Sequence, residues 1–289
     1  MPDYARRPEW LRVNPLDPDI LNKMTRLMRG LKLHTVCESA RCPNRTECFA
    51  RGTATFMILG DICTRNCTFC AVKKGEPLTP DLQEPEHIVA AVEKLGLQYV
   101  VVTSVTRDDL PDGGASHFAR TIKVIQNYNS KILVEVLTPD FSGSLSALQT
   151  IIDASPAVLN HNVETVPRLY PEVRPEANYQ RSLGLLKQAK MLDSRLVTKS
   201  GLMLGLGESN KEVTEVMADL RQADCDLLTI GQYLQPSPRH HRVVSYITPD
   251  EFREYKKMGE KMGFISVIAG PLVRSSFHAA EMFGNATLR

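Results

Sequence analysis

The chain has 289 residues, of which 43% are hydrophobic and 24% charged, and its formal net charge is +2. This length is normal for a single α/β barrel with a sizeable core, and the near-neutral charge gives no reason to expect nucleic acid or an anionic membrane as a partner. No apolar run is long enough to span a bilayer, and the N-terminus lacks the apolar core of a secretory signal, so we expect a cytoplasmic protein.

The predicted elements change character near residue 53. The first 50 residues are rich in proline and predict one helix, at 18–29. Apolar runs then predict seven strands, at residues 55–59, 99–103, 132–137, 157–160, 197–204, 227–231 and 264–269. The stretches between them predict six helices, at residues 84–95, 115–128, 144–154, 178–192, 210–223 and 249–262.

Continuous apolar strands that alternate with helices indicate a parallel sheet, either in a barrel or in a doubly wound fold. Six or seven βα units with polar motifs directly after the strands favour an α/β fold of the partial (β/α)6-type TIM barrel. We therefore expect an N-terminal extension at 1–52, the barrel at 53–270 and a C-terminal tail at 271–289. Catalytic groups of such barrels gather at the C-terminal ends of the strands.

Six of the seven cysteines form two triplets, Cys37, Cys42 and Cys48 and then Cys63, Cys67 and Cys70. Without a secretory context, clustered cysteines indicate metal ligands or redox groups rather than disulfides. Thiolates select zinc, copper(I) or iron–sulfur clusters, and a structural zinc site usually has a fourth Cys or His, which is not found near the second triplet. Three thiolates leave one corner of a 4Fe–4S cubane open for a ligand.

The second triplet, with Phe69 before its last cysteine, follows the first predicted strand and resembles the radical S-adenosylmethionine (SAM) superfamily. The resemblance implies that Cys63, Cys67 and Cys70 hold a 4Fe–4S cluster whose fourth iron binds SAM. It also implies cofactor contacts after later strands: Asp112, Gly113 and Gly114 for the amino group, Asn160, Asn162 and Glu164 for ribose or carboxylate, and Arg174 and Lys199 for the carboxylate. The alternative for each contact is a solvated loop or a structural ion pair.

The first triplet, combined with R-S-S-F at 274–277, resembles the lipoyl synthases. Further motifs in common are T-S-V-T-R-D-D-L-P-D-G-G-A at 103–115, E-V-L-T-P-D-F at 135–141, N-H-N-V-E-T-V-P-R-L-Y at 160–170, K-S-G-L-M-L-G-L-G-E at 199–208 and G-Q-Y-L-Q-P-S at 231–237. The resemblance implies an auxiliary 4Fe–4S cluster on Cys37, Cys42, Cys48 and Ser276, with Ser275 as the alternative fourth ligand. Phe277 departs from the family, which usually has Tyr there.

In that family a 5′-deoxyadenosyl radical removes hydrogen from an octanoyl chain, and the auxiliary cluster supplies sulfur at C6 and C8. The resemblance implies three protein partners: an octanoylated carrier (the H protein or an acyltransferase lipoyl domain), a ferredoxin or flavodoxin, and an iron–sulfur carrier that rebuilds the auxiliary cluster. Nothing in the sequence calls for more than a monomer. A different two-cluster radical enzyme and a non-catalytic iron–sulfur or zinc module remain the alternatives.

Overall fold

A computed structural model describes residues 7–13, 17–50 and 54–287, the last range without the side chains of Asn285 and Thr287. The strands are β1 (His34–Thr35), β2 (Thr55–Ile58), β3 (Ile62–Cys63), β4 (Lys73–Lys74), β5 (Tyr99–Ser104), β6 (Leu133–Leu137), β7 (Val158–Asn160), β8 (Val197–Leu204), β9 (Leu227–Gln232) and β10 (Ser266–Gly270). The helices are α1 (Pro18–Gly30), α2 (Val36–Ser39), α3 (Arg45–Ala50), α4 (Glu84–Leu95), α5 (Ala115–Tyr128), α6 (Leu145–Asp153), α7 (Tyr170–Val173), α8 (Tyr179–Leu192), α9 (Asn210–Gln222), α10 (Pro249–Lys261) and α11 (Ala279–Thr287).

The large sheet has the strand order β1-β2-β5-β6-β7-β8-β9-β10. Its last seven strands are parallel, and β1 adds an antiparallel edge through the pairs His34↔Met57 and Thr35↔Phe56. β1 and β10 are the two edges, so the barrel is open between them. Six βα units and a seventh strand confirm the predicted partial (β/α)6-type barrel.

The six helices predicted between the strands begin and end within one residue of their predicted ranges. α4 and α5 match the predicted ranges to the residue. Ser209 and Thr248 cap α9 and α10, each in a reciprocal capping box with a glutamate three residues later. α4 ends at Gly96, whose φ of 63° is the left-handed conformation that glycine adopts without strain.

The core lies between the sheet and the surrounding helices. Phe56 and Val102 of the strands and Phe118 and Ile122 of α5 are fully buried there. The other face of the strands, which lines the barrel interior, is partly polar and carries the charged pair Glu135 and Lys199. The side chains of both are 0% exposed.

The N-terminal region is more regular than the sequence predicted, since β1, α2 and α3 follow the expected α1. A two-residue strand and a four-residue helix are too short to produce a periodic pattern, and β1 exists only because β2 offers it an edge. The tail also contains a helix, α11. The predicted boundary at 52/53 lies outside the described residues, and β10 ends at the predicted second boundary, Gly270. None of the helices that the structure describes is long and apolar enough to cross a membrane.

Candidate active site

One cavity of about 610 Å³ lies at the C-terminal ends of the strands. Its wall includes Thr103 and Ser104 at the end of β5, Leu137 at the end of β6, and Gln232 at the end of β9. All six cysteines of the two triplets line this cavity. The sequence places the triplets apart along the chain, whereas the fold brings them to one chamber.

The second triplet lies on a loop that a small parallel pair of strands closes. Cys63 is the last residue of β3 and pairs with Lys74 of β4. The loop that carries Cys67 and Cys70 therefore begins and ends at this pair of strands. The backbone N–H of Thr106, after β5, donates to Cys63 Sγ at 3.3 Å. Lys74 Nζ donates to the carbonyl oxygen of Cys67 at 2.9 Å. These contacts hold the three thiols at the cavity wall.

The first triplet is built on α2 and α3 and is attached to distant parts of the chain. Cys37 lies in α2, and the N–H of Cys42 donates to its carbonyl oxygen at 3.0 Å. Asn44 Nδ2 donates to the carbonyl oxygen of Leu272 in the tail at 2.7 Å. The loop of the first triplet is therefore fixed to the C-terminal segment that carries the R-S-S-F motif.

Burial raises the pKa of Cys37 to about 11 and that of Cys70 to about 12, so these two thiols are protonated as the residues stand. All seven cysteines are free of disulfides. A bound cluster stabilises thiolates, so cluster binding at this site releases protons. Among the described residues no three His, Cys, Asp or Glu side chains converge on one point as they would for a single metal ion. A cubane instead bonds each thiolate to a different iron, which spreads its ligands around the cluster.

The two serines of the tail both line the cavity, but their hydroxyls differ in their hydrogen bonds. Ser275 Oγ accepts from Asn160 Nδ2 at 2.8 Å and donates to Asn162 Oδ1 at 2.9 Å. Ser276 lines the cavity, and its hydroxyl has no hydrogen bond to another described residue. The structure therefore leaves Ser276 available as a cluster ligand and occupies Ser275 otherwise.

Of the predicted SAM contacts, Asn162, Glu164 and Arg174 come together on the cavity wall. Arg174 Nη1 donates to the carbonyl oxygens of Asn162 and Val163, both at 3.0 Å, and its guanidinium stands 5.1 Å from the centre of the Tyr170 ring. Burial raises the pKa of Glu164, and the charge of Arg174 opposes this shift. Arg174 is thus a buried cation beside the second triplet.

The other predicted SAM contacts are not among the residues that line the cavity. Lys199 is buried against Glu135, with Nζ 2.9 Å from Oε1, and Asn160 donates to the same oxygen at 3.0 Å. Asp112 accepts the N–H groups of Gly114 and Ser116, at 2.9 and 2.8 Å.

The glycine pair itself makes room for packing. A Cβ at Gly113 would stand 3.0 Å from Phe141 Cδ1, and a Cβ at Gly114 would overlap Leu59 Cδ1. Both glycines have positive φ, 61° and 88°, which glycine adopts without a side-chain penalty. In this structure the two glycines therefore allow their backbone to pack closely against the side chains of Phe141 and Leu59.

Sequence reasoning missed three charged or titratable residues of the cavity wall: Arg65, Asp140 and His161. Arg65 stands inside the second triplet, and Asp140 follows β6, so each lay within a motif that had already been noted. His161 is fully enclosed, with its two ring nitrogens 2.8 Å from the carbonyl oxygen of Thr138 and 2.9 Å from Ser182 Oγ. Burial lowers its pKa to about 4, so the ring is neutral at neutral pH.

The cavity wall also fits a polar ligand. Arg45 Nε, Ser104 Oγ, Thr138 Oγ1 and Arg174 Nε belong to residues that line the cavity, and all four atoms are buried with no hydrogen-bond partner among the described residues. Buried polar atoms are normally paired, so four unpaired atoms around one cavity indicate places where a bound molecule completes the bonding. The thiols of the second triplet and these donors together suit a cluster with a polar cofactor beside it.

Comparison with known proteins first identifies the class of protein to which the chain belongs. The family model of the radical SAM superfamily matches residues 57–220, which is more than half of the chain. The FeFe-hydrogenase maturase HydG has a similar structure, with a TM-score of 0.57, 16% identity, and coverage of 94% of this chain and 60% of that one. Methylornithine synthase PylB gives a TM-score of 0.56 at 12% identity, covering 71% of this chain and 61% of that one. These likenesses concern the fold, and the class is that of radical SAM proteins with a 4Fe–4S cluster and SAM.

Full-length relatives then narrow the class to one family. Lipoyl synthase of Caldanaerobacter subterraneus subsp. tengcongensis is 59% identical over 275 residues, covering 95% of this chain and 96% of the relative. Lipoyl synthase of Aquifex aeolicus is 56% identical over 261 residues, covering 90% of this chain and 95% of the relative. The chain belongs to the lipoyl synthase family.

Proposed function

We propose that this chain inserts two sulfur atoms, at C6 and C8, into an octanoyl group carried on a lysine of a protein, and so makes lipoyl-lysine. The observation that carries the proposal is that both cysteine triplets and the free hydroxyl of Ser276 line one cavity. Sulfur insertion needs hydrogen removal and sulfur delivery at the same carbon. A single chamber with both triplets meets that need.

Cys63, Cys67 and Cys70 are the proposed ligands of the radical cluster. With SAM bound, that cluster supplies the one-electron chemistry that removes hydrogen from unactivated carbon. On the wall beside it, Arg174 would bind the SAM carboxylate through its unpaired Nε, and Glu164 and Asn162 would accept from and donate to the polar groups of SAM. Asp112, Gly113, Gly114, Asn160 and Lys199 lie one layer further out in this proposal and shape the wall.

Cys37, Cys42, Cys48 and Ser276 are the proposed ligands of an auxiliary 4Fe–4S cluster, which is consumed as the sulfur substrate. Serine suits this use because a hard oxygen on an iron–sulfur cluster makes a weaker bond than thiolate and can be exchanged. Arg274 supports the site electrostatically: burial lowers the pKa of its guanidinium, and the charge of a neighbouring Cys42 thiolate would oppose that shift. Phe277 lines the same cavity and adds no ligand.

The cavity also suits an octanoyl chain. Apolar side chains that include Val36, Phe69, Val72 and Met203 line it beside the thiols. They exclude water from the reacting carbon, and shielding of this kind keeps a reactive intermediate from side reactions. The octanoyl-lysine of a carrier protein, either the H protein or an acyltransferase lipoyl domain, enters here. A ferredoxin or flavodoxin supplies the electrons, and an iron–sulfur carrier rebuilds the auxiliary cluster.

The proposal is tested with anaerobically reconstituted protein, an octanoyl-lysine peptide, SAM and a reductant. Mass spectrometry should find a peptide heavier by two sulfur atoms. Iron analysis should give about eight irons per chain, falling to about four in a Cys37→Ala or a Cys63→Ala variant, because each variant removes one cluster. Cys225→Ala is the matched control, since Cys225 is a fully buried thiol that donates to the Leu227 carbonyl and does not line the cavity. Retention of zinc without sulfide would contradict the proposal.

A further inference from the structure

The two serines of the tail occupy the centre of a turn. The N–H of Phe277 donates to the carbonyl oxygen of Arg274 at 2.9 Å, which closes a four-residue turn with Ser275 and Ser276 in its middle positions. Both serines line the cavity, but the Ser275 hydroxyl is bonded to Asn160 and Asn162 at the end of β7, whereas the Ser276 hydroxyl has no hydrogen bond to another described residue. The direction of one hydroxyl therefore depends on how the other is held.

The Ser275 hydroxyl is held between two asparagines. It accepts from Asn160 Nδ2 at 2.8 Å and donates to Asn162 Oδ1 at 2.9 Å, across 115 and 113 residues of sequence. Asn162 Nδ2 donates in turn to Glu164 Oε1 at 3.0 Å. Gly201 gives the Asn162 side chain its space, since a Cβ there would stand 2.8 Å from Oδ1.

The first asparagine is anchored by buried charge. Asn160 Nδ2 also donates to Glu135 Oε1 at 3.0 Å, and Glu135 receives Lys199 Nζ at 2.9 Å and the Tyr99 hydroxyl at 2.7 Å. A carboxylate only accepts hydrogen bonds, so the Asn160 nitrogen must face Glu135. Its second hydrogen then points at Ser275, which must accept it and donate its own hydrogen to Asn162. Each link in this chain has one possible direction.

We propose that Ser275 is a positioning residue for Ser276: the bonds to Asn160 and Asn162 fix the turn so that the Ser276 hydroxyl stays directed at the auxiliary cluster. This inference rests on the proposed function, in which Ser276 is a ligand of that cluster. A serine oxygen binds iron weakly, so a small displacement of the turn breaks the bond. The buried pair Glu135 and Lys199 anchors the far end of this chain of hydrogen bonds.

The test compares Ser275→Ala with the native holoenzyme, using the rate at which a chelator removes iron. The variant should lose about half of its iron about tenfold faster, since it lacks the hydrogen bonds that hold the turn, while the other half leaves at the native rate. Ser275→Thr retains the hydroxyl and should restore the slow rate. Ser146→Ala is the matched control, because Ser146 is exposed on α6 and its hydroxyl contacts only Ser144.

Reductive cleavage of SAM provides a second readout. In Ser275→Ala, formation of 5′-deoxyadenosine should stay within about twofold of native while lipoyl formation falls about tenfold, a split that general loosening of the fold would not produce. If iron left the variant and the native protein at equal rates, or if both halves of the iron left the variant equally faster, the positioning role of Ser275 would be refuted. The proposed function fails separately, if the native protein makes no lipoyl product.

Discussion

Arg65 Nη2 lies 2.6 Å from Asp140 Oδ1, and the two side chains are 6% and 0% exposed. Arg65 stands between Cys63 and Cys67, and Asp140 follows β6, so this ion pair ties the loop of the second triplet to the barrel. Arg65 also forms two hydrogen bonds to Asp108, at 2.7 and 2.8 Å. The position of the proposed radical cluster depends on this buried contact.

Arg65→Ala should lower the free energy of unfolding by about 3–5 kcal/mol, because it leaves the buried carboxylate of Asp140 without its main partner. Urea unfolding of the cluster-free protein measures the change. The control is Arg195→Ala, since Arg195 is 92% exposed and pairs with Asp193 at the surface. An exposed pair of this kind contributes little, so unfolding of the control should match the native protein. Similar midpoints for the two variants would refute the role given to Arg65.

Acid should weaken the fold through Asp140. Burial by itself raises the pKa of this carboxyl, but the hydrogen bond and charge of Arg65 outweigh it and lower the pKa to about 2. The pKa of Asp140 is lower in the folded protein than the unfolded value of about 3.9, so its ionised carboxylate stabilises the fold above about pH 3.9. This stabilisation is lost as the pH falls toward 2. Unfolding free energies between pH 5 and 2 should fall steeply in the native protein and less steeply in Arg65→Ala. Parallel curves would contradict this assignment.

His161 should weaken the fold in a different pH window. Burial, assisted by the charge of Arg174, lowers its pKa from 6.5 to about 4. Between these two pKa values the His161 imidazole binds a proton in the unfolded chain but not in the folded chain. The free energy of unfolding therefore falls as the pH drops from about 6.5 toward 4. Between pH 7 and 5 the loss from this group is about 2 kcal/mol. His161→Gln should remove that part of the pH dependence, measured by urea unfolding at the two pH values, and an unchanged slope would show that His161 is not the group responsible.

Gly114→Ala should destabilise the fold by about 1–3 kcal/mol, since φ is 88° and the new Cβ would overlap Leu59 Cδ1. Gly96→Ala isolates the steric part, because Gly96 also has a positive φ, 63°, but has open space around its Cα. It should cost about 1 kcal/mol. SAM affinity of Gly114→Ala should stay near native after correction for the unfolded fraction. A selective loss of SAM affinity with unchanged stability would return this glycine to the cofactor site.

The main barrel could be predicted from the sequence because its strands and helices are long enough to produce a period. α4, α5 and β8 match their predicted ranges. β1, β3 and β4 have two residues each and exist only through pairing with other segments. No local pattern encodes that pairing.

The site was predictable where chemistry depends on residue type and less so where it depends on distant contacts. The thiol triplets and the pair Asn162 and Glu164 line one cavity. Lys199 was predicted to pair with the SAM carboxylate, but its side chain is buried against Glu135, which lies 64 residues away in sequence. The choice between Ser275 and Ser276 also depended on a contact with β7 that the sequence alone does not reveal.

In the proposed function, the cluster on Cys37, Cys42, Cys48 and Ser276 is the sulfur source. Protein reconstituted with heavy-isotope sulfide and freed of excess sulfide should be given octanoyl-lysine peptide, SAM and reductant in a buffer that contains natural-isotope sulfide. Mass spectrometry should then find two heavy sulfur atoms in each lipoyl product of the first turnover, and Ser276→Ala should form little or none. A first-turnover product with natural-isotope sulfur would show that this cluster is not the sulfur source.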